Sequence, residues 1–166
     1  CDPFVRVFHR SLVGLFAFSF LSGDEWKSAH ILSGYLIATL IALRVIWGVI
    51  GTEHARFSSF IYRPTTVLAF LADSVRMRAR RYLGHNPAGG AMVIALLLAI
   101  SGIATTGYMM TTDAYWGVEW VEDTHKTLVY GTLGLIGLHL AGVLFASLEH
   151  HENLVRSLLN CWKRSR

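Results

Sequence analysis

The chain has 166 residues, of which 53% are hydrophobic and only 16% are charged. Ordinary soluble domains carry about 25% charged residues, so this composition argues against a soluble enzyme. Because a membrane-spanning helix takes about 20 residues, the length allows at most about five or six spans.

Four apolar stretches are long enough to cross about 30 Å of hydrocarbon. In chain order they are Val5–Ser22, Ser28–Ile50, Gly90–Met110 and Lys126–Leu148. The first lacks the small-residue cleavage pattern of a signal peptide and contains an ionisable histidine, so we interpret it as a true span. The sequence therefore predicts an all-α fold, a four-helix transmembrane bundle that forms one integral-membrane domain over residues 1–166.

Lysine and arginine are distributed unevenly, and cytoplasmic segments carry the excess in membrane proteins. Most basic residues gather at the start of span one, between spans two and three, and after span four: Arg6, Arg10, Arg56, Arg63, Arg76, Arg78, Arg80, Arg81, Arg156, Lys163, Arg164 and Arg166. Both termini are therefore expected in the cytoplasm. This topology explains the basic side without a nucleic-acid partner, and none is predicted.

The connections Gly23–Lys27 and Thr111–His125 are expected on the opposite, outer side. They are acidic, with six carboxylates: Asp24, Glu25, Asp113, Glu119, Glu122 and Asp123. A negative surface attracts a basic partner protein. Trp116 and Trp120 lie in the second of these connections. Two roles are therefore open for it: docking of a basic partner, or anchoring at the membrane interface through the two tryptophans.

The segment Gly51–Gly89 between spans two and three is too long to lack structure in a compact protein. Pro64 offers a helix start, and Val67, Leu71 and Val75 recur at helical spacing, which predicts an interfacial amphipathic helix. The tail Glu152–Trp162 predicts a second one. Cys1 and Cys161 both fall on the cytoplasmic side, where thiols stay reduced. No C-x-x-C-H motif occurs, which excludes covalent haem attachment.

Four histidines lie within or at the edge of the spans: His9, His30, His125 and His139. A single one could be a neutral imidazole bonded to a neighbouring helix. His125 and His139 are 14 positions apart, however, which places them about 40° apart in azimuth and about 21 Å apart along one helix. With both termini inside, the histidines sort by depth into an inner pair, His9 with His139, and an outer pair, His30 with His125.

Two histidines at one depth are the axial-ligand set of a six-coordinate haem, which transfers single electrons. Zinc is the competing metal, but it prefers close-set tetrahedral ligands, and the separation of His125 from His139 excludes one zinc site that uses both. Arg44 lies 14 positions after His30 and therefore at the inner level. It can bind a haem propionate bidentately or reach lipid phosphate by snorkelling.

Several motifs are typical of a known family: Asp2-Pro3-Phe4-Val5-Arg6 leading to Phe8-His9, Leu43-Arg44-Val45-Ile46-Trp47-Gly48, His54-Ala55-Arg56-Phe57, Gly84-His85-Asn86-Pro87-Ala88-Gly89-Gly90 and Glu152-Asn153-Leu154. Over its whole length the chain resembles the bacterial di-haem cytochromes b, which include bacterial cytochrome b561 and the b-type subunits of membrane nickel–iron hydrogenases. Arg10 departs from the pattern, since many members carry an aromatic residue after the first ligand.

The resemblance implies two non-covalent b-type haems held by His9, His30, His125 and His139, and a multi-pass location in the bacterial inner membrane. It also implies electron exchange between the quinone pool and a partner. For the inner-loop histidines His54 and His85 it suggests a place near the inner haem or the quinone site, and turn formation is the alternative.

Three functions remain open at this point. We favour an electron-transfer subunit that links quinone to a periplasmic redox protein, either a c-type cytochrome or an oxidoreductase subunit. The second is a stand-alone quinone-linked oxidoreductase acting on a small diffusible species such as superoxide, although an acidic surface repels an anion. The third, a haem-free transporter, needs a polar pathway and does not require its histidines to pair by depth.

Overall fold

The computed structural model describes residues 2–23, 25–53, 55–76, 78 and 86–149. This part of the chain forms helices and no strand. The α-helices are α1 (Pro3–Ser22), α2 (Lys27–Ile50), α3 (Pro64–Val75), α4 (Pro87–Met109) and α5 (Glu119–Glu149), and Phe57–Ser59 form a short 3-10 helix. All but α3 are long and apolar enough to cross a membrane. The predicted all-α fold with four spans is therefore confirmed.

Side-chain caps define where two of the long helices begin. The Asp2 carboxylate accepts hydrogen bonds from the backbone N–H groups of Phe4 and Val5, at 2.8 and 3.4 Å. The Asn86 side chain accepts one from the N–H of Gly89 at 2.6 Å. Both caps are followed by proline at the first helical position, where its fixed φ suits the helix and its missing N–H is not needed.

The fourth span begins earlier than predicted, at Glu119 rather than Lys126. Gly117 adopts a positive φ of 72° in the turn before it. Glu119 and Glu122 occupy the first turn of α5, where the partial positive charge of a helix N-terminus stabilises carboxylates. The predicted outer loop Thr111–His125 is therefore shorter, and three of its four acidic residues are helical.

The helices pack in a defined order. α1 lies along α2, α2 contacts α4, and α4 contacts both α5 and α3. The core lies between α1, α2 and α4 and consists of Phe8, Ile37, Ile41, Leu97 and Ile100. α5 packs extensively on α4 but not on α1 or α2 in the described part of the chain.

The connection from α2 to α3 folds back across the end of the bundle. Phe57 packs against Gly48 of α2, where a methyl group would overlap its ring. The backbone carbonyl of Phe60 packs against Gly90 of α4, and a methyl group at Gly90 would overlap the carbonyl oxygen. Two glycines thus let this segment lie tightly on two spans.

The predicted helix that begins at Pro64 is present as α3, and it packs on α4. Val67 is half-buried, whereas Leu68 and Leu71 are exposed. Its place at the membrane interface stays a prediction. Several sequence predictions lie outside the described residues: the helix Glu152–Trp162, the thiols of Cys1 and Cys161, the inner-loop histidines His54 and His85, and Asp24.

Candidate functional site

The four predicted histidines lie on three helices and at two levels of the bundle. We call the end at which α1 begins the inner end and the opposite end the outer end, in keeping with the predicted orientation. The chain direction alternates from one span to the next, so His9 of α1 and His139 of α5 lie toward the inner end. His30 of α2 and His125 of α5 lie near the outer end.

The structure brings the rings of His30 and His125 together from different helices. Their centroids are 6.3 Å apart and their planes make an angle of 76°. Two imidazoles bound through nitrogen at about 2 Å on opposite sides of one metal ion have centroids roughly 6 Å apart. The separation of the two rings therefore fits a shared axial-ligand pair.

Hydrogen bonds engage one nitrogen of each of these two rings. The Nδ1 atom of His30 lies 2.8 Å from the backbone carbonyl oxygen of Ser19 and 3.2 Å from its hydroxyl. The Nδ1 atom of His125 lies 3.0 Å from the hydroxyl oxygen of Thr106. Ligand histidines commonly donate their second ring N–H to an oxygen in this way, which leaves Nε2 to bind the metal.

The inner pair is less enclosed than the outer pair. His9 of α1 and His139 of α5 are close enough to interact electrostatically. His9 is exposed and His139 is half-buried, whereas His30 and His125 are both half-buried. The inner pair is therefore the more accessible of the two.

Arg44 is buried at the inner end of α2, with only 3% of its surface exposed. It shares the buried face of α2 with Ile41 and Gly48. Its guanidinium carbon lies 4.9 Å from the centroid of the Phe57 ring, and it interacts electrostatically with Asp2. Its Nη1 atom is buried and has no hydrogen-bond partner among the described residues. A buried charged nitrogen without a partner is costly, and an anionic group such as a propionate would satisfy it.

Sequence reasoning missed the interactions of Asp2. Besides capping α1, its carboxylate accepts hydrogen bonds from the Trp47 indole N–H at 3.1 Å and from the Thr52 hydroxyl at 2.6 Å. Phe4 also packs against Trp47, with ring centroids 4.9 Å apart. This cluster joins the start of α1 to the end of α2 beside Arg44. The Asp-Pro pair after Cys1 signals a cap, but no local pattern signals its distant partners.

The acidic outer surface is partly neutralised. Glu122 forms an ion pair with Lys126 at 2.7 Å, one helical turn away. The carboxylates Glu25, Asp113, Glu119 and Asp123 are exposed. Trp116 and Trp120 are also exposed, and the Lys27 ammonium lies 4.6 Å from the centroid of the Trp116 ring. The negative surface therefore consists of fewer free charges than the sequence indicated.

Within the described residues, no three His, Cys, Asp or Glu side chains form a group suited to a metal ion. The histidines occur in pairs, and two protein ligands are what a bis-histidine haem requires because the porphyrin supplies the other four. The ring spacing of His30 and His125 and the unpaired nitrogen of Arg44 thus both fit a haem.

The comparisons with known proteins agree with this chemistry. The family model of prokaryotic cytochrome b561 matches residues 1–160. No curated protein and no solved structure is significantly similar to the chain. The family match covers almost the whole chain and all four candidate spans. The chain therefore belongs to the prokaryotic cytochrome b561 family, and it is a multi-pass membrane protein of b-type haem electron transfer.

Proposed function

We propose that this cytochrome carries electrons across the bacterial inner membrane between the quinone pool and a periplasmic redox protein, using two bis-histidine b-type haems. His9 and His139 hold the inner haem, and His30 with His125 hold the outer one. The observation that carries the proposal is the 6.3 Å separation of the His30 and His125 rings. When bound, each haem supplies one-electron chemistry at an iron with no vacant ligand position.

The two sites lie at different depths, which supports a path across the membrane rather than along one surface. His125 and His139 are separated by about 21 Å along α5. Both termini face the cytoplasm in this proposal, because the excess of lysine and arginine lies at the inner end. The quinone then exchanges electrons at the inner haem and the partner protein at the outer one.

Arg44 holds a propionate of the inner haem in this proposal. Its burial and its unpaired Nη1 atom support the assignment, because a bidentate bond to a carboxylate satisfies two guanidinium nitrogens at once. Phe57 lies against the guanidinium, whose central carbon is 4.9 Å from the ring centroid. Snorkelling to lipid phosphate requires an exposed head group, and Arg44 is buried.

The partner at the outer end is a basic protein, either a c-type cytochrome or an oxidoreductase subunit. Exposed carboxylates at Glu25, Asp113, Glu119 and Asp123 support this choice, since a negative surface accelerates association with a positive one. Lys126 neutralises the carboxylate of Glu122, so Glu122 does not contribute to this attraction.

Replacement of each histidine by alanine tests the ligand assignment. We expect His9→Ala and His139→Ala to lose one haem and His30→Ala and His125→Ala to lose the other, because a single imidazole no longer saturates the iron. Haem content and the low-spin signal in electron paramagnetic resonance measure the loss. His150→Ala is the control, since His150 belongs to neither pair. A variant at any of the four positions that keeps both low-spin haems removes that residue from the ligand set.

A further inference from the structure

We propose that Thr106 of α4 is a positioning residue for His125 and that its hydroxyl sets the redox potential of the outer haem. The inference rests on the proposed function, because it takes His30 and His125 as the ligands of that haem. It assigns a role to a residue that touches neither the iron nor the partner protein.

The hydrogen bonds around Thr106 fix the direction of its hydroxyl. The hydroxyl donates to backbone carbonyl oxygens one turn earlier in α4, at 2.8 Å to Gly102 and 3.1 Å to Ile103. While its proton is donated to its own helix, its oxygen accepts from the Nδ1 atom of His125 at 3.0 Å. The backbone of Ile103 also hydrogen-bonds to His125. With both acceptors on this side of the ring, the His125 proton lies on Nδ1 in this proposal, which leaves the lone pair on Nε2.

The residue after Thr106, Gly107, lies next to the imidazole ring of His125. A methyl group added there would come within 3.2 Å of the Cε1 atom of the imidazole. Thr106 itself is buried. One edge of the ring thus lies against the Thr106 hydroxyl and another part lies close to Gly107, so two neighbouring residues of α4 border the imidazole.

His30 is held by a different kind of acceptor. The carbonyl oxygen of Ser19 lies in the last turn of α1 and also accepts a hydrogen bond from the Ser22 hydroxyl at 3.3 Å. It accepts a hydrogen bond from Nδ1 of His30 at 2.8 Å. Because this acceptor belongs to the backbone, no substitution at Ser19 removes it. The Thr106 hydroxyl, in contrast, belongs to a side chain, so mutation can remove it and test its role.

The expected effect follows from the chemistry of the imidazole. A hydrogen bond donated by Nδ1–H makes the ring a more basic ligand. A more basic ligand stabilises the oxidised iron, which carries the greater positive charge, and so lowers the potential. Loss of the Thr106 hydroxyl is therefore expected to raise the potential of the outer haem and to leave the inner haem unchanged.

Three variants separate the hydroxyl from its surroundings. Thr106→Val keeps the shape and removes the acceptor, and Thr106→Ser keeps the hydroxyl. Thr105→Val is the matched control, because Thr105 is the exposed neighbour and its hydroxyl bonds to the carbonyl of Ser101 at 2.8 Å, on its own helix. The purified holoprotein is titrated with redox mediators, and the low-spin signals are recorded by electron paramagnetic resonance. The outer haem is identified as the one that His30→Ala loses.

We expect Thr106→Val to raise one midpoint potential and shift one low-spin signal, with Thr106→Ser and Thr105→Val matching the wild type. Loss of only the outer haem in Thr106→Val, with retention in Thr106→Ser, also supports the inference. Unchanged potentials in Thr106→Val, or equal shifts or haem losses in both Thr106 variants, overturn it. A wild-type protein without haem, or an outer haem that survives His30→Ala, contradicts the proposed function instead, so the two failures are distinct.

Discussion

The cluster around Asp2 gives a stability prediction that can be worked out bond by bond. Replacement of Asp2 by Asn keeps the Oδ1 cap on α1 but turns the other carboxylate oxygen into a donor. The hydrogen bond from the Trp47 indole N–H at 3.1 Å is then lost, because the indole can only donate. The Thr52 hydroxyl, now 2.6 Å from the carboxylate, can reverse and accept from the new amide, so its bond loses only the charge. Hydrogen bonds to charged groups contribute about 1.5–3 kcal/mol each. Trp47 is half-buried, so we take the low end for the one lost bond and expect the free energy of unfolding to fall by about 1.5–2 kcal/mol.

The same cluster makes stability depend on pH. Desolvation raises the pKa of Asp2, but hydrogen bonds from Thr52, Trp47 and the backbone N–H groups of Val5 and Phe4 outweigh it and hold the pKa below its usual value. A carboxylate whose pKa is lower in the folded than in the unfolded state stabilises the fold when it is ionised. This stabilisation is complete above the unfolded pKa of about 3.9. That stabilisation disappears as the pH falls through the folded pKa. Wild type and Asp2→Asn should therefore differ at pH 7 and converge in acid.

Thermal unfolding of the purified protein in detergent, followed by circular dichroism, measures both effects. Asp113→Asn is the control, because this exposed carboxylate lies in the outer connection and its loss should leave the unfolding temperature unchanged. The account of the cluster is refuted if Asp2→Asn unfolds at the wild-type temperature at neutral pH. It is also refuted if the difference from wild type persists undiminished below the folded pKa.

Three further predictions concern packing, cofactor and partner. Gly90→Ala should cost about 1–3 kcal/mol because the added methyl overlaps a backbone carbonyl, whereas Gly134→Ala, with nothing within 4 Å of the added atom, should cost nothing measurable in the same unfolding assay. Arg44→Gln should shift the midpoint potential of the inner haem only, as followed by redox titration. Electron transfer to a small basic cytochrome should slow steeply with added salt in stopped-flow measurements, and less steeply once Glu119 and Asp123 are amides.

Each of these predictions has an outcome that contradicts it. Equal stability of the two glycine variants would show that the segment after α2 does not pack tightly on α4. Normal haem content with both potentials unchanged in Arg44→Gln would assign the arginine to a structural role. Rates that do not depend on salt would remove the docking surface and favour a stand-alone oxidoreductase whose substrate is a small diffusible molecule.

The sequence predicts the spans well because about 20 consecutive apolar residues are a strong local signal. It misplaces the start of α5 because the acidic residues of the first turn resemble a loop in hydropathy, although a helix N-terminus stabilises them. The sorting of the histidines by depth needs only the chain direction and the rise of a helix.

Contacts between helices are less accessible to such reasoning. Thr106 and Ser19 each reach a histidine on another helix, and the periodicity of a single span does not determine the rotation of its neighbour. Likewise, Phe57 reaches Arg44 because the segment after α2 folds back, which no pattern in that segment indicates. α4 contains Ser101 and Thr105 besides Thr106, so a hydroxyl in this span does not by itself single out Thr106.

Haem quantitation of the purified protein tests whether each chain holds two bis-histidine haems. The measurement combines a reduced-minus-oxidised difference spectrum with a protein determination on the same sample. We expect two non-covalent b-type haems per chain, both low-spin. One haem per chain, or a high-spin haem with a free ligand position, would contradict it.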